Sequence, residues 1–216
     1  MPQGLFVTGT GTEVGKTVVA ATIARTLAGE GREVAVFKPA VTGLDEGVET
    51  DHELLRRASG SDQSDEEIAP YRYGPPASPH LAAAMAGEEI DPERLRRAAG
   101  AAAEGAEAIV CEGVGGLLVP LSPGYLVRDL AADLGYPLVV VAGPGLGTIN
   151  HTLLTVEAAR SAGLEVAAVV LNPWPGEPSD IERSNRETIA SLAGLQVLTL
   201  PQLDLAAPQS WPPLRI

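Results

Sequence analysis

Six short runs in this chain are apolar at nearly every position rather than at alternate ones: LFVT (5–8), EVAVF (33–37), AIVC (108–111), LVVV (138–141), VAAVVL (166–171) and QVLTL (196–200). A strand of that kind has no face to give to water, so the runs predict a parallel sheet covered by helices on both sides. Ala-rich stretches of helical length separate them. This alternation predicts an α/β fold, doubly wound and mostly parallel, and 216 residues suit one domain spanning 1–216. Hydrophobic residues make up 45% of the chain but aromatics only 4%, so the core is expected to be built from Ala, Val, Leu and Ile.

The helices carry their own punctuation. Asp91-Pro92 predicts an N-cap followed by a first-turn proline, with Leu95, Ala98, Ala99 and Ala102 on one face. Ser78-Pro79 opens another helix in the same way, and Gly163 closes one running from about 149 to 162. The acidic run DQSDEEI (62–68) reads as solvated surface, and the tail AAPQSWPPLRI (206–216) is too rich in proline for regular structure.

The net charge of −13 opposes a nucleic-acid partner over most of the surface. Cys111 is the single cysteine, so no intramolecular disulfide can form and a reducing compartment is expected. The start MPQGLFVTG lacks a basic region and a long apolar run, and no stretch approaches the roughly 20 apolar residues of a membrane helix. The expectation is a soluble cytoplasmic protein.

LFVT runs into GTGTEVGKT (9–17) and then VVAATIARTLAG, which reads as strand, glycine-rich turn and helix. Small residues there let successive N–H groups face an anion at a helix N-terminus, Lys16 adds a positive charge, and the Thr17 hydroxyl can ligate Mg²⁺. The spacing is irregular: Thr10 stands at the first glycine's place in a Walker A loop, with Gly9 and Gly11 on either side. Nucleotide chemistry of this type also needs an acid at the end of a neighbouring buried strand. AIVCEGVGG places Glu112 there, a carboxylate that is costly to bury without a partner.

FKPAVTG puts Lys38 and Thr42 at the carboxyl end of the second strand, the edge where open α/β sheets bind ligands. Asp51 begins a predicted helix, where serving as N-cap or early-turn acid is the simpler role for it. GPGLGTINH (143–151) leads into a further helix whose N-terminus could bind a carboxylate. His52, His80 and His151 have no metal spacing, and no Ser-His-Asp arrangement is evident.

VTGTGTEVGKT (7–17), FKPAVTG (37–43), TD (50–51), SPH (78–80), CEGVGGLLVPL (111–121), LGTINH (146–151) and Asn172 after a strand together resemble the dethiobiotin synthetase family, in that family's order over most of the chain. The resemblance implies Mg²⁺-dependent reaction of 7,8-diaminononanoate with CO₂ and ATP: an amine captures CO₂ as a carbamate, the γ-phosphoryl group activates it, and the second amine closes the ring. It implies that Glu13, Val14, Gly15, Lys16, Thr17 and Val18 wrap the phosphates, with Thr12 beside the reacting groups and Lys38 as catalytic lysine. Thr17, Asp51 and Glu112 would organise Mg²⁺, and Gly113, Val114 and Gly115 would approach the nucleotide. Asn172, Pro201, Gln202 and Leu203 would form the base pocket, and Thr42 would meet the substrate's amine or carbamate. Gly147, Thr148, Ile149 and Asn150 would reach the substrate carboxylate across a homodimer interface.

Two departures stand out: Asn172-Pro173 where many members have Asn-Asp, and Pro201-Gln202-Leu203 before a shortened tail. They bear on base preference rather than on phosphate binding. Two alternatives are a partitioning-type switch ATPase, whose loop carries a lysine where this chain has Thr10, and a related ATP-dependent synthetase acting on another amine or carboxylate.

Overall fold

The computed structural model describes residues 3–47 and 49–216. In chain order its elements are β1 (Gln3–Gly9), α1 (Lys16–Gly29), β2 (Val34–Phe37), α2 (Asp51–Ser59), α3 (Asp65–Ile68), α4 (Pro79–Met85), α5 (Pro92–Ala102), β3 (Ala108–Gly116), β4 (Pro120–Ser122), β5 (Tyr125–Leu126), α6 (Val127–Leu134), β6 (Leu138–Ala142), α7 (Thr148–Ser161), β7 (Val166–Trp174), α8 (Asp180–Ala193) and β8 (Gln196–Pro201). All six expected runs are strands of one sheet, ordered β2-β3-β1-β6-β7-β8, with every pairing parallel.

The order explains where a ligand can sit. From β1 the chain moves outward to β2, returns to β3 beside β1, and then crosses to β6 on β1's other side. The carboxyl end of β1 is therefore the point at which the winding reverses, and crossover loops part there to leave a crevice. Alternate residues of the central strands feed two cores. Phe6, Ile109, Cys111 and Val140 pack on one face of the sheet. Val7, Val110, Val139 and Val141 pack on the other with Val19, Ile23 and Leu55 of the helices α1 and α2.

The predicted helix punctuation is present. Asp91 caps α5 by accepting from the Glu93 N–H at 2.9 Å, and Leu95 and Ala99 are buried with Ala98 and Ala102 packed alongside. Ser78 precedes Pro79 at the start of α4, and α7 ends one residue short of the expected Ala162, ahead of Gly163.

One expectation needs correction, and another, the irregular tail, holds with a packing the sequence did not show. The acidic run 62–68 is more than solvated surface: the Gln63 amide donates to the Val36 carbonyl and accepts from its N–H, closing the outer edge of β2, and Ile68 is buried. The tail forms one short 3₁₀ turn, Pro208–Ser210, and is firmly packed. Trp211 and Leu214 are buried against the α1 face, and the Leu214 N–H donates to Thr26 Oγ1 at 2.9 Å. The β4–β5 hairpin was not anticipated, because strands of three and two residues leave too short a pattern to read.

Candidate active site

β1 ends at Gly9 and α1 begins at Lys16, so residues 10–15 form a loop over the crevice. Gly15 has φ +83°, and a Cβ there would lie 2.0 Å from Asn172 Nδ2. Only glycine fits both the backbone and the neighbour. Among the described residues, Glu13 is the one non-glycine with positive φ, at 61°. Left-handed backbone at 13 and 15 curls the loop, and the N–H groups of residues 11–15 have no backbone partner among the described residues, as an anion site requires. Lys16 Nζ donates back to the Gly11 carbonyl at 2.9 Å, and burial pulls the ammonium below lysine's ordinary pKa while Glu112 and Asp51 oppose the shift.

Beneath the loop, four side chains from four elements meet. Lys38, just past β2, lies 2.7 Å from Glu112 Oε1 on β3 and 2.7 Å from Asp51 Oδ2 on α2. Thr17 Oγ1, in α1, is 2.8 Å from Asp51 Oδ1 and 2.9 Å from Glu112 Oε1. Glu112 is fully buried and Lys38 is 2% exposed. Burial works against the Lys38 charge, but the two carboxylates outweigh it and hold the pKa above the ordinary lysine value, so Lys38 is a cation at neutral pH. For Glu112, burial and then the neighbouring Asp51 push the carboxyl up, with Lys38 pulling back. Asp51 sits below the usual carboxylate range: its burial is outweighed by Lys38 and Thr17.

Asp51 is therefore not the cap of α2. Thr50 holds that position, with its N–H and hydroxyl both donating to Glu53 Oε2, which leaves Asp51 free to turn toward Lys38. The partner that Glu112 lacks in the sequence is Lys38, 74 positions away.

The cluster also has a shortfall that a divalent cation would fill. A threonine hydroxyl carries one proton, yet Thr17 Oγ1 lies within hydrogen-bond distance of two carboxylate oxygens. Glu112 Oε2 is buried without a partner among the described residues. Three hard oxygen donors in this arrangement suit Mg²⁺, which binds through few protein ligands and takes the rest from phosphates and water.

The other expected residues are distributed around this centre. β3 continues past Glu112 through Gly113, Val114 and Gly115 to Gly116, which pairs with Gly9 at the loop's root. Asn172 reaches the loop from the end of β7, its Nδ2 donating to the Val14 carbonyl at 3.2 Å, and its peptide to Pro173 is cis. Pro201 ends β8, beside Trp174 of β7, with Gln202 exposed and Leu203 half-buried next to it. Thr12 is exposed, as is Glu13; Val14, Val18 and Thr42 are half-buried. The Gly/Glu-rich loop 43–50, which leads into Asp51, includes Val48, a residue outside the described ones.

Residues 143–147 form a separate projection. Gly147, at φ +90°, starts α7; Thr148 is buried, Ile149 half-buried and Asn150 exposed, and Leu146 is 96% exposed. Sequence reasoning missed Asn185 of α8, whose Nδ2 donates to the Pro144 carbonyl at 2.9 Å and the Gly145 carbonyl at 3.1 Å. A signal existed: Asn185 occupies the stripe that continues with Ile189 and Ala193, where an apolar residue would be expected.

Residues 3–210 match the family described as an AAA domain. The chain is 46% identical to the ATP-dependent dethiobiotin synthetase of Anaeromyxobacter dehalogenans strain 2CP-1, covering 92% of this chain and 89% of that one. It is 43% identical to the Rhodococcus erythropolis synthetase, over 90% and 86% of the two chains. For the Bacillus subtilis strain 168 synthetase the figures are 39%, 91% and 85%.

Proposed function

The chain belongs to the ATP-dependent dethiobiotin synthetases, and on that premise we propose that the crevice at the end of β1 closes the ureido ring on 7,8-diaminononanoate, using CO₂ and ATP and releasing ADP and phosphate. The observation that carries this is the meeting of Lys16, Thr17, Lys38, Asp51 and Glu112 under a glycine loop at the sheet's switch point.

The electrostatics make chemical sense of the set. A carbamate and a triphosphate are both anionic, and bringing them within reaction distance requires concentrated positive charge. In the reaction, one substrate amine attacks CO₂ and loses a proton, giving the carbamate. A carbamate oxygen then displaces ADP from the γ-phosphorus in line. The second amine attacks the carbonyl carbon of the mixed anhydride and loses a proton, phosphate leaves, and the ring is closed.

Residues 13–18 cradle the phosphates, and Lys16 exchanges its bond with the Gly11 carbonyl for a phosphate oxygen. Lys38, held protonated, neutralises the carbamate and the transferring phosphoryl group; it acts as a fixed cation rather than as a base. Thr12 and Thr42 orient the reacting groups in this reading. Thr17, Asp51 and Glu112 would hold Mg²⁺, which when bound would supply charge neutralisation for the phosphates. Gly113 to Gly115 border the phosphates, and Asn172 with Pro201, Gln202 and Leu203 faces the base.

We place the substrate carboxylate at residues 147–150 of a second copy. Support comes from exposed apolar side chains beside that segment, Leu146 and Leu154, which a second copy would cover. Among the described residues no helix is long and apolar enough to cross a membrane. A cytoplasmic setting fits both the ATP requirement and the buried free thiol of Cys111.

The deciding assay incubates the protein with Mg-ATP, bicarbonate and 7,8-diaminononanoate and detects dethiobiotin by mass alongside phosphate release. Both should appear only with the diamine. Phosphate release that ignores the diamine, with no cyclic urea formed, would sink the reading.

A further inference from the structure

The Asn185 amide lies on the buried stripe of α8, 7% exposed, and spends both of its donors on the backbone of a loop from another element: the consecutive carbonyls of Pro144 and Gly145. An amphipathic helix packs more simply with an apolar residue at that place, so the amide answers to the loop rather than to the core.

The consequence follows from peptide geometry. The peptide bonds of this loop are trans, the one cis bond among the described residues being Asn172–Pro173. In a trans peptide the N–H points opposite the carbonyl. With the Pro144 and Gly145 carbonyls both drawn toward α8, the Gly145 and Leu146 N–H groups point away from it, and neither has a partner among the described residues. They stand three and two residues before α7; of that helix's first amides, Thr148 N–H donates back to the Gly145 carbonyl at 3.2 Å and tightens the turn, while Ile149 and Asn150 N–H have no backbone partner among the described residues.

We infer that Asn185 is a positioning residue for substrate recognition: by gripping two successive carbonyls it fixes the 143–147 loop so that its outward amides and the α7 N-terminus together bind the diamine's carboxylate. The inference rests on the reading that places the carboxylate at this loop. Asn185 touches no substrate atom. Its role is to hold the amides oriented before the ligand arrives, which removes the cost of ordering them on binding.

Two variants test this. Asn185→Leu keeps the volume and suits the apolar stripe while removing both donors, and Asn185→Asp keeps the shape while setting a carboxylate against two carbonyl oxygens. Steady-state kinetics are measured on 7,8-diaminononanoate and on nonane-2,3-diamine, in which a methyl group replaces the carboxylate. For both variants KM for diaminononanoate should rise roughly tenfold or more, with KM for ATP unchanged and kcat within about twofold. On nonane-2,3-diamine, kcat/KM should equal that of the unmutated protein. Equal losses on both diamines would overturn the inference in favour of a purely structural role, as would no loss on either. If the unmutated protein fails to prefer diaminononanoate over nonane-2,3-diamine, the carboxylate reading itself falls, and the inference with it.

Discussion

Gly15 and Asn172 compete for the same space, and the outcome sets what the loop tolerates. A methyl group at Gly15 would need a left-handed φ of +83° and would strike Asn172 Nδ2 at 2.0 Å. Gly15→Ala should therefore weaken Mg-ATP binding by about a hundredfold or more in calorimetry, from strain plus a displaced loop, with the far-ultraviolet spectrum unchanged. The two lysines separate by role. Lys16→Ala should abolish nucleotide affinity, whereas Lys38→Ala should retain most of it and form no dethiobiotin. Lys38→Ala also removes the cation beside a wholly buried Glu112, a loss of about 3 kcal/mol, so its melting temperature without nucleotide should fall by several degrees. Equal nucleotide affinities for the two variants would contradict the assignment. The sequence exposed these residues through their surroundings, since GKT opens the helix after a glycine loop, Glu112 follows AIVC and Lys38 follows VAVF; Glu112, however, lies inside β3, which runs on to Gly116, rather than at the strand end expected of it. That Lys38 and Glu112 pair with each other was not legible, because neighbours across a sheet leave no local pattern.

At the scale of elements, strands apolar on every residue could be read directly, whereas the pieces that dock onto the sheet could not. The β4–β5 hairpin is held by one such junction. Asp133 on α6 accepts the Tyr125 hydroxyl of β5 at 2.6 Å and the Arg96 guanidinium of α5 at 2.7 Å. Partial burial works against the Asp133 charge, but these two donors hold its pKa below the ordinary carboxylate value. A depressed acid stabilises the fold above its unfolded pKa and loses that contribution as pH falls through the folded one. Asp133→Asn should therefore melt below the unmutated protein at neutral pH, with the gap closing as pH is lowered below about 4. A gap that stays constant down to about pH 2 would show that the charge is irrelevant at this junction. The tail makes a second junction, hidden from sequence by its prolines. Trp211→Ala deletes a ring packed on the α1 face and should cost about 3 kcal/mol in urea unfolding without changing KM for the diamine.

For the whole molecule, the central question is whether each crevice is complete within one chain. The alternation of strands and helices and the resemblance of the loops could be read along the sequence, but the order of the strands in the sheet and which leucines stay bare could not: Leu118, Leu146 and Leu154 are 55%, 96% and 56% exposed, and only the fold reveals this. If the 147–150 segment serves the crevice of a second copy, two kinds of defect can compensate for each other. Lys16→Ala disables the chain's own phosphate loop, and Gly147→Val disables the projection by forcing a β-branched residue into φ +90°. Each variant alone should be inactive. Unfolded together in equal amounts and refolded, half of the dimers would be mixed, and each mixed dimer would hold one crevice with both defects and one with neither. The mixture should then recover about a quarter of the activity of the unmutated protein, with a mass in solution twice that of one chain. A dimer of that mass with no recovered activity would mean that each chain completes its own site, and the carboxylate would have to be sought within a single crevice.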